Sequence, residues 1–222
     1  MHVVVMSRID RMVRCEVYMA VPANAPPRML TVAVTGASGS IFARHLLDTL
    51  DRDDRVAIVN LIFSDSGLRV MAEELEVSGR NELVPKLLGR RSEKIRQQSN
   101  TDIGANVASG SYQSDAMIVL PCSVGTLARI ANGMAIQLIE RAADVCLKER
   151  RPLILCVRET PFNLIHLRNM TLAVEAGATI FPVIPAFYFR PVSTDEIARE
   201  FVNRVLAHVG LPQPGAYQWK GE

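Results

Sequence analysis

Two kinds of segment alternate along this chain: short, mainly apolar runs, and longer stretches in which apolar residues recur every third or fourth position. These runs are Leu30–Val34, Val56–Phe63, Ala116–Leu120, Leu153–Val157 and Ala178–Val183. Runs of that length, bounded by Gly, Pro or charged residues, predict strands buried on both faces of a parallel sheet. Helical spacing follows each of them. Ile41, Phe42, Leu46, Leu47 and Leu50 share one face, and Leu68, Met71, Ala72 and Leu75 another. A third stripe joins Leu127, Ile130, Ala131, Met134, Leu138 and Ile139, with Asn132-Gly133 set to break or kink it before Ala142, Val145 and Leu147. The pattern over Phe162–Ala176 closes on Gly177, as a helix C-cap should. Ser193 and Glu196 form a capping box for a last helix that runs to about His208. Strand and helix in strict alternation predict an α/β fold with a doubly wound parallel sheet in a single domain.

Two stretches are less regular. Residues 81–106 are polar and weakly periodic, and predict one short helix, Leu83–Leu88, and an exposed connection, Ser92–Asp102. Residues 1–28 carry a short apolar start, scattered Arg and a Pro/Ala/Asn linker, without the long apolar region and cleavage site of a secretory signal. They read as an N-terminal arm that is not part of the native fold, with Met29 as the true start, or as a loosely attached arm. The domain is then expected over 29–210, with a C-terminal tail over 211–222.

In an open parallel sheet, ligands bind beyond the carboxyl ends of the strands. Three expected strands end there in small, hydroxyl-rich turns: Thr35-Gly36-Ala37-Ser38-Gly39-Ser40, Ser64-Asp65-Ser66-Gly67 and Pro121-Cys122-Ser123-Val124-Gly125-Thr126. Each leads into a helix, an arrangement that presents backbone N–H groups to an anion. The first turn lacks the full GxGxxG spacing and a ribose-binding acid, so it points to a phosphate or flavin loop rather than to a dinucleotide site. Leu153–Val157 runs into Arg158-Glu159-Thr160-Pro161, which is either a site at the sheet edge or a salt-bridged strand end. Glu73, Glu74 and Glu76 by spacing alone read as a solvated face, and Cys122 as a buried small residue rather than a nucleophile.

Composition narrows the classes. Over 222 residues the apolar share is 49% and the charged share 22%, which is globular rather than disordered. A net charge of +2 gives no argument for nucleic acid or an anionic membrane surface, and no apolar run is long enough to span a bilayer. The four Cys show no metal spacing and read as reduced thiols of a cytoplasmic protein.

The blocks TGASGS (35–40), LPCSVGTLARIANG (120–133), RAADVCLKERRPLIL (141–155), RETP (158–161), HLRNM (166–170) and PAFYFRP (185–191), in that order, resemble the UbiX-type flavin prenyltransferases. The resemblance covers Leu30 to about Gly210. It implies a flavodoxin-like Rossmann domain and a homododecamer with active sites where subunits meet. The implied reaction joins a dimethylallyl group from dimethylallyl monophosphate to reduced FMN, at flavin N5 and C6, without a metal. Prenylated FMN then passes to a UbiD-type decarboxylase.

By that resemblance, Gly36, Ala37, Ser38, Ser64, Ser123, Val124, Gly125, Thr126 and Arg158 contact the flavin. Lys148, Tyr188 and Arg204 hold the prenyl phosphate, and Ser38, Glu74 and Glu159 serve the chemistry. The residue types fit these roles, because a departing phosphate needs cations nearby and an allylic cation needs a dry, electron-rich wall. Trp219 also resembles a Trp near the family's C-terminus. Gln137 stands where an Asn is common, and Ser40-Ile41-Phe42-Ala43 departs from the usual sequence after the first loop.

Other readings remain: an FMN-dependent cysteine decarboxylase-like flavoprotein, for which His45 is the early His but a Pro-x-Met-Asn motif is missing; a non-catalytic FMN-binding partner of a decarboxylase; and a nicotinamide dehydrogenase.

Overall fold

The computed structural model describes residues 28–218, so most of the expected arm and Trp219 lie outside the described residues. Six strands form one parallel sheet: β1 (Arg28–Val34), β2 (Val56–Phe63), β3 (Ile95–Ser99), β4 (Ala116–Cys122), β5 (Leu153–Val157) and β6 (Thr179–Ile180), in the order β3-β2-β1-β4-β5-β6. The chain winds outward from β1 to β3, then returns across to β4 and winds the other way. The crevice between the ends of β1 and β4 is therefore the topological switch point, where open α/β sheets place ligands.

Alternation within each strand separates two core layers. Leu30, Val32 and Val34 point to one side of β1 and Ala33 to the other; Ile154 and Cys156 of β5 face opposite to Leu155 and Val157. The first layer is closed by α1 (Ser40–Arg52), α2 (Asp65–Leu75), α3 (Leu83–Leu88) and α7 (Thr194–His208), which contribute Leu46, Met71, Leu83 and Phe201. The second is closed by α4 (Val124–Ala131), α5 (Leu138–Lys148) and α6 (Leu164–Glu175), through Leu127, Ile139 and Ala173. Being covered on both faces is why the inner strands are mainly apolar.

The structure differs from the sequence expectations at defined places. The exposed connection expected over Ser92–Asp102 contains β3, an edge strand paired to β2. Only Ile95 of its five residues is buried, so an apolar run could not mark it. Without β3 the five anticipated strands run 2-1-3-4-5, the flavodoxin-like order; β3 extends it to 3-2-1-4-5-6. Arg28, assigned to the arm, begins β1: its N–H donates to Arg55 O, and its side chain to Val209 O.

The expected strand Ala178–Val183 is regular only over Thr179–Ile180, although Phe181 N–H and Val183 N–H still bond to Leu155 O and Val157 O. Asn132-Gly133 does separate α4 from α5, and it leaves Met134 exposed rather than in the stripe. Helix α6 starts at Leu164, two residues later than expected, because Asn163 accepts the His166 N–H at 2.9 Å and closes a capping box. At α7 the Ser193 hydroxyl accepts the Glu196 N–H, while Glu196 reaches back to Val192 N–H rather than to Ser193. The expected tail begins with Leu211, which is fully buried in the first core layer.

Candidate active site

All strands being parallel, the turns after β1, β2, β4 and β5 lie along one edge of the sheet. That brings together Gly36, Ala37, Ser38, Ser64, Ser123, Val124, Gly125, Thr126, Arg158 and Glu159, as the sequence reading expects. The two central turns are stitched by Thr35, which sequence reasoning passed over. Its buried hydroxyl donates to Pro121 O at 2.9 Å and accepts the Ser123 N–H at 2.8 Å. A Thr at the end of an apolar run gave no local signal for that role. Gly36 is small for a packing reason, since a Cβ there would collide with the Ser66 side chain where α2 begins.

Ser64 and Ser123 are both N-caps. The Ser64 hydroxyl accepts the Gly67 N–H at 3.0 Å, and the Ser123 hydroxyl accepts the Thr126 N–H at 3.3 Å. This leaves the Val124 and Gly125 N–H groups at the start of α4 with no acceptor among the described residues. A Cβ on Gly125 would meet only the tip of Arg129, at 3.7 Å, so that turn is open from outside.

The first turn behaves differently from the anion cradle its spacing suggests. Glu74 of α2 lays its carboxylate on the start of α1, accepting Gly39 N–H at 3.0 Å and Ser40 N–H at 2.7 Å. The phosphate-type position is thus filled by a protein carboxylate. Burial tends to raise the Glu74 pKa, but hydrogen bonds from the Ser38 hydroxyl and the Ser40 and Gly39 N–H groups hold it below the ordinary carboxylate range. Glu73 instead pairs with Arg69 on the surface, so the three neighbouring acids do separate in role.

At the end of β5 the Arg158 N–H donates to Cys122 O at 3.1 Å, and the guanidinium is exposed. Glu159 is half-buried and accepts the Thr160 N–H at 2.9 Å; no ion pair joins it to Arg158 among the described residues. The reading of a salt-bridged strand end therefore falls. Cys122 is fully buried, and burial pushes its thiol up to about 12, which excludes a thiolate at neutral pH.

Tyr188 and Arg204 line one pocket of about 390 Å³, together with Ala186, Phe189, Glu200 and Tyr217. The loop after β6 supplies Tyr188 and Phe189, α7 supplies Glu200 and Arg204, and the tail supplies Tyr217. Ala186, Phe189, Glu200 and Tyr217 were not singled out from the sequence; the block PAFYFRP marked the loop, but nothing marked the tail.

Lys148 does not reach this edge in a single chain, and the Tyr188–Arg204 pocket has none of the turn residues in its lining. Helix α5 runs antiparallel to the strands, so its last residue lies at the amino edge, over Gly110 and in an ion pair with Glu149. His45, the early His of the decarboxylase reading, bonds Asp195 at 2.7 Å between α1 and α7.

A doubly wound sheet with serine-capped turns at its switch point, open N–H donors on α4 and an exposed Arg158 suits a flavin nucleotide, and the class these features define is the flavodoxin-like flavoproteins. The sequence matches the family described as Flavoprotein over residues 19–198. It is 42% identical over 196 residues to "Flavin prenyltransferase UbiX" of Escherichia coli (strain K12), covering 87% of this chain and 99% of that one. Two solved structures are similar. The AnUbiX (PadA1) complex with FMN and dimethylallyl pyrophosphate has a TM-score of 0.79 at 38% identity, over 88% of this chain and 98% of the other. The dodecameric FMN-dependent UbiX-like decarboxylase from Escherichia coli O157:H7 has a TM-score of 0.78 at 38% identity, over 87% and 100%. The chain belongs to the UbiX-type flavin prenyltransferase family.

Proposed function

We propose that this protein is a flavin prenyltransferase: it joins a dimethylallyl group from dimethylallyl monophosphate to reduced FMN and releases prenylated FMN for a UbiD-type decarboxylase. The observation that carries this reading is the meeting of Tyr188 and Arg204 in one pocket with Ala186 and Phe189. The Arg204 cation beside an aromatic and aliphatic lining, with the Glu200 carboxylate of the same pocket engaged by the Tyr217 N–H, suits a ligand that is phosphate at one end and a short alkenyl chain at the other. A mere flavin carrier has no need of such a pocket. His45, bonded to Asp195 at 2.7 Å, gives the cysteine decarboxylase reading no support.

When bound, reduced FMN supplies the electron-rich N5 and C6 positions that become joined to the prenyl group. The protein's residues serve the other half of the exchange. Arg158 and Arg204 stabilise charge on the departing phosphate, Tyr188 orients it, and Glu159 is the acid assigned to that end. Glu74, held ionised, fixes the Ser38 hydroxyl and favours positive charge developing on the allyl group. Its lowered pKa makes it a weak base. The departing phosphate, with a second pKa of about 6, is the stronger proton acceptor.

Lys148 reaches the phosphate from a neighbouring subunit. Two observations support assembly: the similar UbiX-like protein of Escherichia coli O157:H7 is dodecameric, and α6 turns Leu164, Ile165, Leu167, Leu172 and Val174 outward. An apolar face of that kind marks a protein interface. Among the described residues no helix is long and apolar enough to cross a membrane. Cys122, Cys146 and Cys156 are free thiols, in keeping with the cytoplasm.

Transfer of the product to a decarboxylase tests the function. The protein is incubated anaerobically with reduced FMN and dimethylallyl monophosphate, then mixed with a UbiD-type decarboxylase purified without cofactor. Decarboxylation that requires all three components is the expected result, and activation by FMN alone would contradict the proposal.

A further inference from the structure

Glu200 stands four residues before Arg204 on α7, the spacing at which a carboxylate and a guanidinium pair on a helix surface. They do not pair. One carboxylate oxygen of Glu200 accepts the Tyr217 N–H at 3.0 Å, and the other accepts from Asn203 Nδ2 at 3.2 Å. Arg204 makes no ion pair among the described residues and lines the pocket beside Tyr188. The Tyr217 ring lies 6.3 Å from that of Phe189, so the tail that engages Glu200 also builds part of the pocket wall.

We infer that Glu200 is a positioning residue that couples docking of the C-terminal tail to anion binding at Arg204. With the tail in place, the Glu200 carboxylate is occupied by the Tyr217 N–H, and the Arg204 charge is left to the pocket. With the tail displaced, the same carboxylate is free to swing four residues along the helix and neutralise Arg204. The phosphate of the prenyl donor then competes with an internal carboxylate. The inference rests on reading Arg204 as a phosphate ligand. It adds a residue of the pocket lining that controls this ligand through its own charge, and it gives the tail two functions: wall and release of a cation.

The test separates the Tyr217 ring from its N–H. Inorganic phosphate and dimethylallyl monophosphate are titrated calorimetrically into FMN-loaded full-length protein. Tyr217→Ala keeps the N–H, so phosphate affinity stays near wild type while the prenyl donor binds more weakly. Tyr217→Pro removes the N–H, and phosphate affinity falls by about two- to fivefold, the scale of one exposed ion pair. In Tyr217→Pro/Glu200→Gln, phosphate affinity returns toward wild type, because a neutral amide cannot neutralise Arg204. Equal phosphate affinity in Tyr217→Pro and the double variant overturns the inference, as does equal affinity in Tyr217→Pro and Tyr217→Ala.

If Tyr217→Pro does not fold, Glu200→Ala answers the same question. It loosens the tail but removes the competitor, so phosphate affinity is retained while donor affinity drops; loss of both contradicts the inference. Wild-type protein that binds neither phosphate nor donor removes the functional reading together with the inference. Wild-type binding without the variant pattern removes the inference alone.

Discussion

The Glu74 carboxylate accepts the Ser40 N–H at 2.7 Å, placing a charge from α2 on the first turn of α1. Gly39, the N-cap residue of α1, has φ of 120° and makes no side-chain cap, so Glu74 does from a distance what a local Ser or Asp does elsewhere. It also receives the Ser38 hydroxyl, which ties the helix cap to the proposed chemistry.

Glu74→Gln keeps one acceptor oxygen but loses the charge. FMN binding is expected to persist, with prenyl transfer slowed at least about tenfold, the loss of one charge-assisted contact. Glu74→Ala is expected to lower stability by about 1 kcal/mol, as for loss of an exposed cap. The folded-state pKa lies below the ordinary 4.5, so the contribution of Glu74 to stability is complete above that pH and is lost as pH falls through the lower folded value. Denaturant melts of wild type and Glu74→Gln between pH 3 and 7, about the carboxylate range, should therefore converge at the acid end. Unchanged turnover in Glu74→Gln would remove it from the catalytic residues.

Thr35 is expected to hold the switch point. Thr35→Val preserves shape but deletes the donor to Pro121 O and the acceptor for Ser123 N–H. A buried N–H left unpaired costs about 1–3 kcal/mol. The Ser123 turn should shift with it, so a lower melting temperature and weaker FMN binding are expected together. Thr35→Ser, which keeps the hydroxyl, should restore most of the FMN affinity.

Arg129 and Glu140 pair at 2.6 Å across α4 and α5, and the second Glu140 oxygen is buried without a hydrogen-bond partner. Arg129→Met would strand that carboxylate and is expected to destabilise the protein by roughly 3 kcal/mol, read from urea denaturation. Adding Glu140→Leu should recover most of the loss. A double variant no better than Arg129→Met would show that the pair contributes through packing alone.

Much of the fold was legible because the inner strands are buried on both faces and are mainly apolar, with Thr31 and Asn60 as buried polar exceptions. The serine turns were legible as turns between strand and helix, but not as caps, the role in which the structure shows Ser64 and Ser123. The edge strand β3 was not legible, because only Ile95 of its sequence Ile-Arg-Gln-Gln-Ser is buried. Glu74 could not be told from Glu73 by spacing, as its partner is 34 residues away; only family resemblance separated them. Glu200 and Tyr217 were invisible for the same reason: their contact joins a helix to the tail across 17 residues. Lys148 marks the opposite limit. Resemblance assigned it to the phosphate, and a single chain places it at the other edge of the sheet, next to Glu149.

The most direct test of prenyl transfer is the mass of the flavin. Purified protein is incubated anaerobically with reduced FMN and dimethylallyl monophosphate, the flavin is extracted, and its mass is compared with that of FMN. The result expected of a prenyltransferase is a flavin heavier by one C5H8 unit that depends on both protein and donor. Recovery of unmodified FMN alone, with the monophosphate and again with the diphosphate, would contradict it.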